Sequence, residues 1–478
     1  MMKRTLSLLF ALCFLLCPLI GCKKGGGTPT ATTNGSTDNE TEDPVLAALP
    51  KTDLGGKKMT ILSFTEPMDS DDPNVYNENT ISSVKHSRTL YAEDRYNITI
   101  KYVKNENVYE ALTNDRMADG QSFDLALPHP TEGIASILTS GYCTNYLELN
   151  SIDTSSPWYN QSQVESYTIN GKLYPLVSDI GVDGAGFQGF VYNKDLYLQN
   201  NNGEDNLYET VFNGDWTLEV FMETMKKFHP ENEGVPEEEK MYSLIYHSKL
   251  ERTFMYGIGQ KTVRRNSEGL YELALDKGKL NTLAENLYDL IYNMDNVYVA
   301  KQTFYAGWGT CDMVKIFKAQ KAIFFEYDIG GLYNYLRDVT FKIGYLPMPK
   351  YDTYQQGYAL ICGQVGTIIP STLNEKEDAA LLLDTFSRYS YLYLKPAFYD
   401  EVLLGRMSPT ADDYKMLELL HKSKVYDIGF TIDGAGMGPL KGIMTEVVLN
   451  NRSKSVDSYL MSKNAVLLEI VDVINNIK

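Results

Sequence analysis

Side chains that could do chemistry are plentiful in this chain but poorly clustered. His86, His129, His229, His247 and His421 show neither His-x-x-x-His nor His-Glu-x-x-His spacing, so no helix face presents two imidazoles to a metal. Gly184-Ala-Gly-Phe-Gln-Gly189 fits a dinucleotide pattern letter for letter. That chemistry needs a helix N-terminus after the glycines, and the residues that follow, Phe190-Val-Tyr-Asn193, read as a strand, so the motif reads as a flexible loop. There is no Gly-x-Ser-x-Gly elbow and no P-loop. Glu231-Asn-Glu-Gly-Val-Pro-Glu-Glu-Glu239 is acidic but lacks the alternating Asp ladder of a calcium loop. The 62 Asp and Glu residues leave room for a glycosidase-like pair, but no spacing singles out an acid and a base, so no catalytic residue is named and neither a metal nor another cofactor is expected. What remains is recognition. The chain carries 35 Tyr against 18 Phe and 3 Trp, and a phenol offers an apolar face with a hydrogen-bonding tip, which suits polar ligands with apolar faces. Trp308, set among small residues in Ala306-Gly-Trp-Gly309, is a candidate to expose an indole for stacking on such a face, the alternative being a core tryptophan.

The elements that would position these residues belong to a large soluble body. A length of 478 residues implies two or three domains, and 43% hydrophobic with 22% charged residues excludes wholesale disorder and a polytopic membrane protein. A net charge of −18 works against nucleic acid and anionic lipid surfaces, so no nucleic-acid partner is expected.

The N-terminus carries an address. Lys3 and Arg4 precede an apolar run from Leu6 to Ile20, too short to span a bilayer and built as a secretory signal. It ends in Leu19-Ile20-Gly21-Cys22, which resembles the bacterial lipobox and makes Cys22 the expected lipidation site and first mature residue. Several acyl chains at about 0.8 kcal/mol per buried methylene hold a protein on a membrane, so an anchor on the extracytoplasmic face of the cell membrane is expected. Residues 22–56 then read as a Gly, Thr and Asn-rich tether with a reach on the order of 25 to 30 Å. Cys13 and Cys17 leave with the signal. The body keeps Cys143, Cys311 and Cys362, an odd set without a Cys-x-x-Cys pair, read as buried thiols.

Beyond the tether the pattern alternates. Lys58–Phe64, Ile98–Val103 and Phe123–Leu127 read as strands separated by helices over Ser82–Arg95 and Val108–Asp119, the sign of a parallel sheet covered by helices. Ligands of such sheets sit beyond the carboxyl ends of strands, which nominates Glu66 and the Pro128–Glu132 loop with His129. Gly189–Tyr197 reads as a strand running into a helix. Thr217 is the expected N-cap of a helix whose apolar stripe is Leu218, Phe221, Met222 and Met225. Helices are also expected over Lys279–Met294, Met313–Gln320, Glu375–Leu394 and the 410s, and strands over Lys321–Phe325 and Lys342–Leu346. Trp216 reads as structural and Trp158 stays open. Asp183-Gly-Ala-Gly186 and Asp433-Gly-Ala-Gly436 echo one another but are too short to make a repeat.

Several local stretches, in their order along the chain, resemble the extracellular solute-binding proteins of ABC importers, family 1, the maltose-binding type. They are Phe123–Leu127 with Gly141-Tyr-x-Thr-Asn-Tyr-Leu147, Lys172–Pro175 with Tyr192–Leu196, Gly214-Asp-Trp-Thr217, Gln320–Phe324, Gly344–Lys350 and Ile369–Thr372. The resemblance spans nearly the whole mature chain. It implies an α/β, two-lobed periplasmic-binding-protein-like (type II) fold, each lobe a β-sheet flanked by helices, joined by a hinge. It divides the chain into a signal peptide over 1–21, the tether over 22–56, lobe 1 over 57–180 plus 352–395 and lobe 2 over 181–351 plus 396–478. The glycines from 181 to 189 fall where the first crossing ends. Matching the crossing and the lobe-2 strand adds Asp179, Glu326, Tyr327 and Asp328 to the ligand set. The expected function is capture of a small-molecule solute, a carbohydrate or oligosaccharide, and its delivery as a monomer to a membrane permease, without catalysis. A surface-anchored carbohydrate-active enzyme, a sensory binding protein without a permease and a peptide-binding protein of the same fold remain the alternatives.

Overall fold

The computed structural model describes residues 42–64, 80–129, 133–184, 188–228, 230–247, 251–300, 312–328, 335–336, 338–363, 366–404, 409–433 and 438–477. The body Pro44–Lys478 holds all the described secondary structure. The expected lipidation site Cys22, together with Glu66, Trp308 and Cys311, lies outside the described residues, as do Ala185 and Gly186 of the first echo and residues 434–437.

Strand β1 (Lys57–Ser63) is the centre of a parallel three-stranded sheet, flanked by β2 (Ile98–Lys104) and β3 (Leu125–Leu127). The helix Thr80–Tyr96 between β1 and β2 buries Ile81, Lys85, Arg88, Thr89, Ala92 and Tyr96, a stripe at helical spacing that includes two cations. Arg88 is accommodated because its guanidinium donates to the Ile180 carbonyl at 3.1 Å and to Ser390 Oγ at 2.9 Å, over the face of Phe386. Helix Lys376–Tyr389 lies on the same layer. Its Asp384 accepts from Trp158 Nε1 at 2.9 Å, Tyr159 Oη at 2.8 Å and Arg388 Nε at 2.7 Å, so Trp158 is a structural residue.

After a small hairpin, β4 (Thr168–Ile169) and β5 (Lys172–Leu173), the chain enters a second, mixed sheet. It contains β6 (Gln188–Asn193) and β7 (Tyr242–His247), and, beyond the hairpin β8 (Val263–Arg265) and β9 (Tyr271–Leu273), β10 (Val297–Ala300), β11 (Ala322–Asp328) and β12 (Ile343–Leu346). The order is β10-β7-β11-β6-β12, with β6 antiparallel to both neighbours and β7 parallel to both of its own. The sequence pattern names no strand at β7. All six of its residues are buried, so the polar alternation that marks a half-exposed strand is absent. The expected helix at Thr217 forms over Leu218–Lys227, capped by the Thr217 hydroxyl on Val220 N, and Trp216 is fully buried with its N–H on the Pro347 carbonyl at 2.9 Å. Helix Ala411–Lys422 opens with a capping box in which Asp413 also accepts from Tyr208 at 2.7 Å and pairs with Lys194 at 2.9 Å, fastening it to the β12 side. The C-terminal helix Asp457–Asn475 is held on β9 by two hydrogen bonds between Asn475 and the Tyr271 backbone.

The chain passes between the two sheets more than once, and the passing segments pair with each other. Leu176 and Thr367 exchange backbone hydrogen bonds at 3.1 and 2.9 Å, and Ile368 then pairs antiparallel with Ala126 of β3. Leu360–Ile361 (β13) runs parallel to Lys424–Val425 (β14). Gly366 makes the first of these contacts possible, since a Cβ there would stand 2.2 Å from the Leu176 carbonyl carbon. Gly366→Ala is therefore expected to cost about 1 to 3 kcal/mol in urea unfolding. Gly357→Ala, at a position with open space around it, serves as the control. Equal midpoints for the two variants would show that the crossings do not depend on this approach.

Candidate functional site

At the carboxyl end of the first sheet the strand-end residues come together. Phe64 N donates to the Leu127 carbonyl at 3.1 Å, and the Phe64 ring meets His129 edge to face with centroids 4.9 Å apart. The helix that follows the His129 loop, Ile134–Thr139, packs against helix Ile428–Ile432, which leads into Asp433.

On the second sheet, β11 carries Glu326, Tyr327 and Asp328 at its carboxyl end, opposite Phe190, Gly189 and Gln188 of β6. Glu326 is wholly buried. Its Oε1 accepts from Thr253 at 2.8 Å, Oε2 makes no hydrogen bond, and burial, reinforced by Glu251, pushes the carboxyl well above its usual range. Glu251, from helix Glu251–Gly257, is equally buried, accepts from Thr445 at 2.9 Å, and is pushed by burial up to about 8. The Tyr246 hydroxyl is buried and also feels both charges. Beside them Phe430 carries the Arg252 guanidinium 5.6 Å and the Lys441 ammonium 4.7 Å from its centroid. Asp433 accepts from the backbone of Leu440 at 3.0 Å and Lys441 at 2.7 Å, and burial lifts it to about 6. Burial likewise brings Lys441 down to about 8. The sequence reading passes over Glu251, Arg252, Phe430 and Lys441. Its only signal for this shelf is the repeated Asp-Gly-Ala-Gly.

Asp179 stands apart from both groups, in the short helical turn Asp179–Gly184 after Leu176. It faces a recess of about 390 Å³ between the crossing segments and the end of helix Ala411–Lys422. Lys395 Nζ is 3.6 Å and His421 Nε2 3.8 Å from its carboxylate. Burial raises the Asp179 carboxyl, against the opposing pull of Lys395 and Lys424. Of the residues nominated from sequence, the structure thus places His129 beside Phe64, Glu326 beneath the end of β11 and Asp179 at the crossings. Tyr327 and Asp328 occupy the last two positions of β11. Among the described residues no group of three or more His, Cys, Asp or Glu could hold a metal ion, and no helix is long and apolar enough to cross a membrane. Cys143 and Cys362 are free and buried, and burial raises the Cys143 thiol.

No protein-family model matches the chain, and no curated protein matches it. Solved structures do. UgpB from Mycobacterium tuberculosis, in complex with glycerophosphocholine, is 15% identical, with 87% of this chain and 99% of that chain covered at a TM-score of 0.57. The galacto-N-biose-/lacto-N-biose I-binding protein of the ABC transporter from Bifidobacterium longum is 14% identical over 88% of this chain and 99% of its own, with a TM-score of 0.57. The GacH receptor of Streptomyces glaucescens, solved unliganded and with acarbose, is 13% identical over 87% and 99%, with a TM-score of 0.54. The chain has the two-lobed α/β fold of ABC transporter solute-binding proteins. At these identities the likeness is one of fold, and it bears out the fold class that the local motifs imply.

The buried acids make stability depend on pH. Glu251 titrates near 8 in the folded chain against roughly 4.3 when unfolded, so the folded state holds the proton more tightly. Its contribution is fully present below about pH 4.3 and is lost as pH rises toward 8. At about 1.4 kcal/mol per unit this amounts to roughly 3 to 5 kcal/mol. Glu251→Gln is expected to remove that slope, so that the variant gains on the parent between pH 5 and pH 8 in urea unfolding. A constant difference across the range would contradict the assignment.

Proposed function

We propose that this protein is an extracytoplasmic solute-binding protein of family 1, anchored by lipid at Cys22, that captures a carbohydrate or oligosaccharide and passes it to an ABC permease. The observation that carries this reading is the pair of sheets joined by mutually paired crossing segments; the site is assigned beyond the carboxyl ends of β1, β3 and β11 because ligands of such sheets sit beyond strand ends. Lobe 1 is taken as 57–180 plus 352–395 and lobe 2 as 181–351 plus 396–478. Consistent with the first of these, Glu375 and Asp378 reach Lys57 of β1 at 2.6 and 2.8 Å.

Glu66, His129, Trp308, Tyr327 and Asp328 form the solute wall, with Glu326 behind it. Carboxylates accept the hydroxyls of a sugar, and aromatic rings cover its apolar ring faces. Neighbours of the same fold with bound acarbose and lacto-N-biose support the ligand class. A solute that touches both lobes favours the closed form, and a permease can read that form. No chemical step is required of any residue.

The test is thermal unfolding of the full-length protein against mono- and oligosaccharides, amino acids, short peptides and phosphodiesters. A ligand at 100 times its dissociation constant adds about 2.7 kcal/mol to the folded state, a visible rise in midpoint. A rise with one saccharide class, abolished by Trp308→Ala or Asp328→Ala, is the expected result. A rise confined to peptides or phosphodiesters would keep the fold and overturn the substrate, and glycan turnover would overturn the carrier reading.

A further inference from the structure

The recess at the crossings has the make-up of a binding site in its own right. Its wall draws Asp179 from the first crossing, Lys395 from the start of helix Lys395–Leu404, Glu418, His421 and Lys422 from helix Ala411–Lys422, and Lys424 from β14. Among the described residues of its wall there are three lysines and two carboxylates, together with His421. Burial, and then Lys424, Lys395 and Lys422, hold His421 well below its usual range. Glu418 is engaged by Lys422 at 2.8 Å toward solvent. Asp179 is buried, with 10% of its side chain exposed, yet its Oδ2 makes no hydrogen bond, and Lys395 stands 3.6 Å away. Nδ1 of His421 is likewise buried without a hydrogen-bond partner. Buried polar atoms are ordinarily satisfied, and here two that are not belong to one polar recess. Tyr159, Tyr391 and Tyr426 supply the remaining, flatter surface.

We propose that this recess is a second ligand site, separate from the solute wall, for a small hydroxylated oxyanion. The anionic group lies between Lys395 and Lys424, a ligand hydroxyl donates to Oδ2 of Asp179, and Nδ1 of His421 takes a further polar group of the ligand. A phosphate ester and a hydroxy acid share this chemistry. The volume of about 390 Å³ admits a molecule of monosaccharide size and is more than inorganic phosphate fills.

Isothermal titration of the full-length protein at constant ionic strength, with glucose 6-phosphate, gluconate, inorganic phosphate and glucose, tests the assignment. Saturable one-to-one binding of glucose 6-phosphate or gluconate is expected, with phosphate weaker and glucose no substitute at this site. Binding should fall tenfold or more in Lys395→Gln and be restored in Lys395→Arg. In the parent protein the His421 ring resonance should shift on binding, with its titration moved to higher pH, a readout that does not depend on any variant folding. Binding of glucose 6-phosphate alone names a phosphate-bearing ligand, and of gluconate alone a carboxylate. No saturable heat with either anion would overturn the site. So would binding indifferent to Lys395→Gln that leaves His421 unmoved, since the anion would then be held at the solute wall.

Discussion

Everything in this molecule depends on segments that leave one sheet for another and still satisfy their own backbone. A chain that crosses between two cores exposes N–H and C=O groups that neither sheet can pair, and buried backbone groups are not left unpaired. The solution is reciprocal. Leu176 pairs with Thr367, Ile368 continues onto β3, and β13 lies along β14, so the crossings form a small platform of their own. That platform admits side chains only where backbones do not need to touch. Gly366 is where they must.

Around the platform the charges are arranged with unequal care. Arg88, Asp384 and Asp413 each have several partners and tie together elements distant in sequence. Glu251 and Glu326 are buried with one carboxylate oxygen each left without a hydrogen bond, and burial pushes both carboxyls above their usual range. Glu326 directly precedes Tyr327 and Asp328 on β11, the strand positions that the sequence nominates for the solute. A rigid scaffold holding its polar groups at strand ends and loops is what a recognition surface requires.

Much of the scaffold was legible in the sequence, for reasons that also mark its limits. The β1, β2 and β3 strands and the helix at Thr217 announce themselves through alternation, periodicity and capping. β7 does not, because a strand buried on both faces loses its period. Asp179 and Glu326 were nominated as carboxylates near ligand, and the structure gives each a buried setting that no local pattern encodes, since Lys395, His421 and Thr253 come from distant parts of the chain. Trp158 was undecidable for the same reason: its partner Asp384 lies 226 positions away. Glu66 and Trp308 fall outside the described residues, so the aromatic and acidic contacts expected of them rest on their local sequence setting.

The account joins a fold with two lobes to a function that uses both. If solute bridges the loops after β1 and β3 and the end of β11, binding must draw the lobes together, because only the closed form makes both sets of contacts. Small-angle scattering from the body Pro44–Lys478, with and without the saccharide that raises its unfolding midpoint, measures this directly. The account predicts a smaller radius of gyration and a narrower distance distribution when the saccharide is bound. Superimposable curves at saturating ligand would contradict it.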